Sequence, residues 1–190
     1  MKKLVGILNL QGCVDPHAEH LRKLGADVRF VNSARDLDGL HGLILPGGES
    51  TTMLKLAKEV AGLWEPLKQK AREIPFWGIC AGAILMAREV ENPAQDSLGV
   101  MDLRVQRNAY GSQLDSFQGA ITLTEGKEDA PAVFIRAPKF LAWGTGVKVA
   151  GKVNGEAVYL EQEKGRHMVT AFHPELTSSG WCHARFLARC

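Results

Sequence analysis

Apolar residues in the first half of the chain come in short blocks, each followed by a polar or glycine-rich turn and an amphipathic stretch. The run Leu4–Leu10 (LVGILNL) ends at Gln11-Gly12 and predicts a buried first strand. Between Val14 and Leu24, Leu21 and Leu24 fall on one face of a helix that Gly25 ends. Val28–Val31 and Gly42–Leu45 predict strands two and three, the latter stopped by Pro46-Gly47-Gly48. Ser50 is placed to cap a helix beginning near Thr51, and another helix is expected over Leu63–Arg72. Phe76–Ile79 is the next strand and Ala81–Ala87 the helix after it. This alternation predicts a parallel sheet with helices on both faces.

After about residue 100 the pattern shortens. β-type runs follow at Met101–Gln106, Phe117–Thr124, Val133–Ile135, Val147–Val153, Ala157–Glu161 and Met168–Phe172, too closely spaced for a crossover helix between each pair. They predict antiparallel additions to the central sheet, with a final helix over Ser178–Ala188. The expected fold class is α/β, a three-layer sandwich of flavodoxin-like type with a mostly parallel sheet and antiparallel additions. No repeat or low-complexity segment divides the chain, so residues 1–190 are expected to form a single domain.

Composition narrows the function only by exclusion. The chain has 190 residues, a hydrophobic fraction of 45%, a charged fraction of 23% and a formal charge of +2. Its basic residues are dispersed, so neither nucleic acid nor an anionic membrane is expected as the main partner. No run approaches the roughly 18 apolar residues of a membrane span. The basic N-terminus lacks the uninterrupted apolar segment of a signal peptide, and a cytoplasmic location is expected. The four cysteines, Cys13, Cys80, Cys182 and Cys190, have neither CxxC nor zinc-ligand spacing. Cys13, Cys182 and Cys190 are read as small buried hydrophobes.

Cys80 differs because of its neighbours. Gly78-Ile79-Cys80-Ala81-Gly82 joins an apolar strand to a helix, as in the nucleophile elbow G-x-S-x-G with sulfur for oxygen. A sharp turn there strains the central residue and requires small neighbours two positions away. A helix start behind the sulfur also favours the reactive thiolate. The plainer alternative is a buried core cysteine in a glycine-flanked turn. Phe172-His173-Pro174-Glu175 offers a base and an orienting carboxylate, since residues i and i+2 of extended chain point the same way. The alternative there is a strand-end histidine beside a solvated glutamate. Leu45-Pro46-Gly47-Gly48-Glu49-Ser50 could bring backbone N–H groups close to a developing oxyanion, or be a plain β-to-α turn. Asp15, His17, Glu19 and His20 could form a metal cluster, but no further ligands have suitable spacing and a solvated helix face is the simpler reading.

Cysteine, then His-x-Glu, with a glycine loop between strand and helix, resembles the class I (triad) glutamine amidotransferases. The closer resemblance is to the family of glutaminase subunits of pyridoxal 5′-phosphate synthases. It is carried by Leu10-Gln11-Gly12, PGGESTT (Pro46–Thr52), Cys80-Ala81-Gly82, Arg107-Asn108 with Tyr110-Gly111, Asp115-Ser116-Phe117, FIRAP (Phe134–Pro138) and FHPELT (Phe172–Thr177), which span almost the whole chain. The resemblance implies a catalytic triad of Cys80, His173 and Glu175. It also implies a glutamine site formed by Gly48, Glu49, Ser50, Arg107, Arg136 and the backbone of Ile135. An arginine fork suits glutamine's α-carboxylate.

The implied activity is hydrolysis of L-glutamine to L-glutamate and ammonia, with no metal or organic cofactor in this chain. The implied partner is a separate pyridoxal 5′-phosphate synthase subunit, which uses a pentose phosphate, a triose phosphate and ammonia. The two would form a large hetero-oligomer with an ammonia channel. Three rivals stand beside this: a glutaminase serving another synthase, such as the imidazole glycerol phosphate one; a cysteine hydrolase of the same fold acting on peptides or γ-glutamyl bonds; and a regulatory subunit with a dead site. PGGESTT and FIRAP argue against the first. The intact Cys80, His173 and Glu175 argue against the last.

Overall fold

The computed structural model describes residues 2–107, 116–125, 129–162 and 166–190. Five strands form the parallel half of the central sheet: β1 (Leu4–Leu8), β2 (Asp27–Val31), β3 (Gly42–Leu45), β4 (Phe76–Ile79) and, from far along the chain, β12 (Met168–Thr170). Four more extend it: β7 (Ser116–Leu123), β8 (Asp129–Ile135), β10 (Val147–Val153) and β11 (Glu156–Gln162). The order across the sheet is β2-β1-β3-β4-β12-β11-β10-β7-β8. Every pairing from β2 to β12 is parallel, and every pairing from β12 to β8 is antiparallel. The antiparallel additions expected from the sequence therefore join the central sheet at one edge, on the far side of β12.

Met101–Gln106 (β6) departs from that expectation. It pairs with β5 (Ala87–Glu91) and β9 (Lys139–Trp143) in a separate three-stranded sheet. Buried Met101, Leu103 and Val105 alternate with outward Asp102, Arg104 and Gln106, so the strand has one apolar face and packs as a second layer. Neither β5 nor β9 was expected from the sequence.

Side-chain direction along β4 and β3 shows how the helices are laid on. Trp77 faces His17 of α1 (Asp15–Lys23) and Phe186 of α5 (Trp181–Leu187). The next residue, Gly78, faces Gly82 and Ala83 of α4 (Ala81–Met86). Successive strand residues point to opposite faces, so α1 and α5 cover one face and α4 the other. β3 agrees: Gly42 lies against Phe186 and Cys190, whereas Leu45 meets Gly82. α2 (Ser50–Lys55) packs beside α4, continues into a wider π-type turn and precedes α3 (Trp64–Lys70). One contiguous apolar cluster joins both faces, with Trp77, Tyr159 and Phe76 its largest fully buried side chains. Among the described residues, no helix is long and apolar enough to cross a membrane.

Pro16 occupies the first turn of α1, where its missing N–H has no intrahelical partner to lose. Glu49, rather than Ser50, caps α2: its carboxylate accepts from the N–H groups of Thr51 at 3.1 Å and Thr52 at 2.6 Å. Ser50 is instead the first helical residue, and its hydroxyl donates to Gln95 at 3.0 Å. A glutamate reaches the second and third N–H groups from one position earlier than the serine hydroxyl and brings a full negative charge to the helix start.

Candidate active site

The C-terminal ends of β3, β4 and β12 lie side by side, and the residues following them meet there. Cys80 sits between β4 and α4 with φ 47° and ψ −101°, a backbone conformation that non-glycine residues rarely adopt. Its N–H donates to Thr170 O at 2.8 Å, so the last rung of the β4–β12 ladder is the cysteine itself. The glycines on either side are needed for space. A Cβ on Gly82 would stand 1.9 Å from Leu45 O, and one on Gly78 would stand 2.7 Å from the Gly82 backbone.

β12 delivers His173. The pair His173–Glu175 forms as expected, with Nδ1 and Oε1 2.7 Å apart, but by a different route. Pro174–Leu176 is a single 3-10 turn, not extended chain. The proline, acceptable in a first helical turn, turns the chain so that the carboxylate doubles back on the imidazole. Both residues are buried. Burial opposes protonation of His173, but hydrogen bonds to Cys80 and Glu175, and their negative charges, outweigh it and raise the imidazole to about 10. His173 faces Cys80 on one side and Glu175 on the other, and both contacts favour the protonated imidazole. A Cβ on Gly47 would lie 2.3 Å from His173 Cε1, so the glycine loop after β3 closes directly over the ring.

Eight of the nine residues singled out in the sequence line one cavity of about 430 Å³: Gly48, Glu49, Ser50, Cys80, Arg107, Ile135, Arg136 and His173. Glu175 lies behind His173. Ile135 and Arg136 come from the end of β8, at the far edge of the sheet. They reach the cavity because β8 turns back against the chain after β12, where His173 N–H donates to Val133 O at 2.7 Å. Cys80 Sγ lies 3.9 Å from Ile135 O. Arg136 is exposed and has φ 41°. Arg107 donates to Thr51 Oγ1 at 2.9 Å and Glu49 Oε1 at 3.4 Å. The Glu49 carboxyl, despite some burial, is held down at about 2 by its bonds to Thr52 and Thr51.

Gln11, Ala81, Ile84 and Pro138 also line the cavity. Gln11 Oε1 accepts from Glu49 N–H at 2.7 Å and would lie 2.3 Å from a Cβ on Gly48, so it braces the glycine loop. The available signal was a polar side chain just past the end of an apolar strand. Asn108, Tyr110, Gly111 and Asp115 lie outside the described residues.

The histidines of α1 are not on a solvated face. His17 is fully buried and His20 nearly so, packed against His183 of α5 and Trp77. No group of three or more potential metal ligands occurs among the described residues. Cys182 is buried, as expected, and burial pushes its thiol well up, whereas Cys13 and Cys190 are only partly covered.

Residues 7–190 match the SNO glutamine amidotransferase family. The chain belongs to that family. Its relatives in the family include "Pyridoxal 5′-phosphate synthase subunit PdxT" of Thermosipho africanus, 45% identical and covering 96% of both chains. The protein of the same name from Solibacter usitatus is 46% identical and covers 100% of both. A solved structure titled "Crystal structure of glutamine amidotransferase" superposes with a TM-score of 0.90 at 40% identity, over 97% of each chain. PurLQS from Thermotoga maritima shares the fold at 16% identity, with a TM-score of 0.68 over 92% of this chain and 89% of its own.

Proposed function

We propose that this amidotransferase hydrolyses L-glutamine with Cys80 as nucleophile, His173 as acid and base, and Glu175 as the group that orients His173. The observation that carries the reading is strained Cys80 and His173 facing each other in one cavity, with Glu175 behind His173, its Oε1 2.7 Å from His173 Nδ1. The thiolate attacks the side-chain amide carbon of glutamine. The N–H of Ala81, in the first turn of α4 where no intrahelical acceptor exists, and N–H groups of the Gly48 loop take the oxyanion. The imidazolium gives its proton to the departing nitrogen, which leaves as ammonia, and a glutamyl thioester remains. His173 then takes a proton from water, hydroxide attacks the thioester carbon, and glutamate leaves as the sulfur regains its charge. Arg107 and Arg136, on the cavity wall, bind the substrate's α-carboxylate, and Glu49 and Ser50 complete that side.

The relatives' names, each a pyridoxal 5′-phosphate synthase subunit, support a separate synthase subunit as the receiving partner, and the reading places the two in a cytoplasmic hetero-oligomer with ammonia passed through a channel. In that assembly residues 1–190 act as one glutaminase domain. Glutamate release from glutamine, measured with and without the synthase subunit, tests both halves of the proposal. A sharp rise on adding the partner supports both, and strong activity indifferent to the partner removes the pyridoxal phosphate assignment. Cys80→Ala should lower turnover by about 10⁴-fold or more while the protein stays folded. Activity surviving in that variant refutes the nucleophile.

A further inference from the structure

Glu175 has two carboxylate oxygens, and the triad uses one. Oε1 takes His173 Nδ1 at 2.7 Å. Oε2 is fully buried and lacks a hydrogen bond. A buried carboxylate oxygen is costly to leave without polar company. The polar atom facing it is His17 Nε2, 3.7 Å away and also buried without a hydrogen bond.

Behind His17 stand two more imidazoles. His17 Nδ1 and His183 Nε2 are 2.9 Å apart, and His20 Nε2 is 3.1 Å from Thr177 O. A carbonyl only accepts, so His20 carries its proton on Nε2. The titratable groups around His17 are His183 from α5, His20 from its own helix, and His173 and Glu175 from the turn after β12. Burial keeps His17 neutral, and burial holds His183 down at about 3. A neutral pair sharing one contact has two possible arrangements. If His17 carried its proton on Nδ1, its Nε2 lone pair would face the carboxylate, and the Nδ1–H of His183 would be buried without an acceptor. If His17 carries it on Nε2, the N–H dipole points at Oε2, Nδ1 accepts from His183 Nε2–H, and only the lone pair on His183 Nδ1 is left over. An unmet acceptor is better tolerated than an unmet donor, so the second arrangement wins.

We propose that His17 is a positioning residue for the triad, its Nε2–H directed at Glu175 Oε2 and its tautomer fixed by His183. The carboxylate is thereby held between two imidazoles, one on each oxygen. At 3.7 Å the contact with His17 is a charge–dipole attraction rather than a hydrogen bond. In buried surroundings it opposes rotation of Glu175 away from His173. The role deepens the glutaminase reading and rests on it, but its physical content is the orientation of His173 toward Cys80.

The test reads that orientation directly. Alkylation of Cys80 by iodoacetamide, followed against pH by peptide mapping, reports the thiolate–imidazolium pair without needing glutamine or the partner. His17→Leu removes the N–H. It should shift the Cys80 alkylation profile by about one pH unit and lower kcat about tenfold in the complex with the synthase subunit, with KM within about twofold. His17→Gln, whose carboxamide N–H reaches the same place, should recover most of both. Unchanged profiles in both variants, or equal losses in both that follow thermal stability alone, overturn the proposal. The unsubstituted protein gives an independent reading if His17→Leu does not fold. Imidazole nitrogen shifts should show His17 neutral with its proton on Nε2, and a proton on Nδ1 overturns it. A chain that lacks glutaminase activity but passes the alkylation and tautomer tests would sink the glutamine assignment and leave this one standing.

Discussion

The parallel and antiparallel halves of the central sheet line the same cavity, but the glycines beside the proposed reacting groups, on the parallel half, are far more tightly enclosed than the turn glycines of the antiparallel half. At the cavity, the glycines of the parallel half leave no room for a side chain: Gly82 meets Leu45, Gly78 meets Gly82, and Gly47 meets the His173 ring. In the antiparallel half, the turn glycines Gly146 and Gly155 have nothing within 4 Å of where a Cβ would stand. The proposed reacting groups sit on the tight half, at the ends of β4 and β12. Ile135 and Arg136, from β8, belong to the looser half. Bond-making tolerates little positional error, whereas holding a charged substrate through a guanidinium tolerates more.

Three substitutions or conditions sharpen that contrast, in order of expected effect. Gly82→Ala places a methyl against the Leu45 carbonyl, which cannot move without β3, and should destabilise the protein by about 3 kcal/mol. Gly146→Ala should change stability by less than about 0.5 kcal/mol. Urea unfolding of the two variants decides it, and equal midpoints would erase the distinction. The second is acid sensitivity of the parallel half. His167 Nδ1 accepts from Phe76 N–H at 3.0 Å at the start of β4, and burial lowers this histidine to about 4. The unfolded chain binds that proton near pH 6.5 and the folded one only near 4, so stability present above 6.5 is lost as pH falls toward 4, by up to about 3 kcal/mol. His173 has the opposite sign: its contribution is full below about 6.5 and lost as pH rises through about 10. Stability measured from pH 4 to 10 should fall at both ends, and His167→Asn should lessen the acid-side loss, to which buried His17 and His183 also contribute, while leaving the alkaline side unchanged. The smallest effect belongs to the looser half. Arg136→Ala should raise KM for glutamine about tenfold with kcat little changed. A fall in kcat of equal size would place Arg136 with the reacting groups instead.

Legibility in the sequence follows the same division. The Cys80 elbow was readable because its requirements are local: an apolar strand, a turn and two small residues within five positions. The paired glycines after β3 were a local signal too, open between an oxyanion loop and a plain turn, whereas Glu49 entered the site only through the family resemblance. The His173–Glu175 pair was found from spacing, but its 3-10 turn was not, because i and i+2 meet in either geometry. β5 stayed hidden because Arg88, Glu89 and Glu91 mask a strand with only Ala87 and Val90 turned inward, out of step at a bulge. His17 and His20 looked solvated because what covers them, His183, lies on the last helix. No local pattern carries that information. The same holds for β8, whose return to the site depends on the curl of the whole antiparallel half.

Strand β12 enters the sheet between β4 and β11, although β4 precedes it by almost half the chain. During synthesis, then, the segment bearing Cys80 emerges long before the imidazole that is to sit beside it. A nascent chain that has finished β4 holds a cysteine with neither its neighbouring strand nor its counter-ion. In the proposed mechanism the thiol is left unarmed until His173 and, behind it, α5 have left the ribosome. On the proposed mechanism, chemical competence is therefore a late event in the protein's own assembly, set by the order in which the strands are laid down.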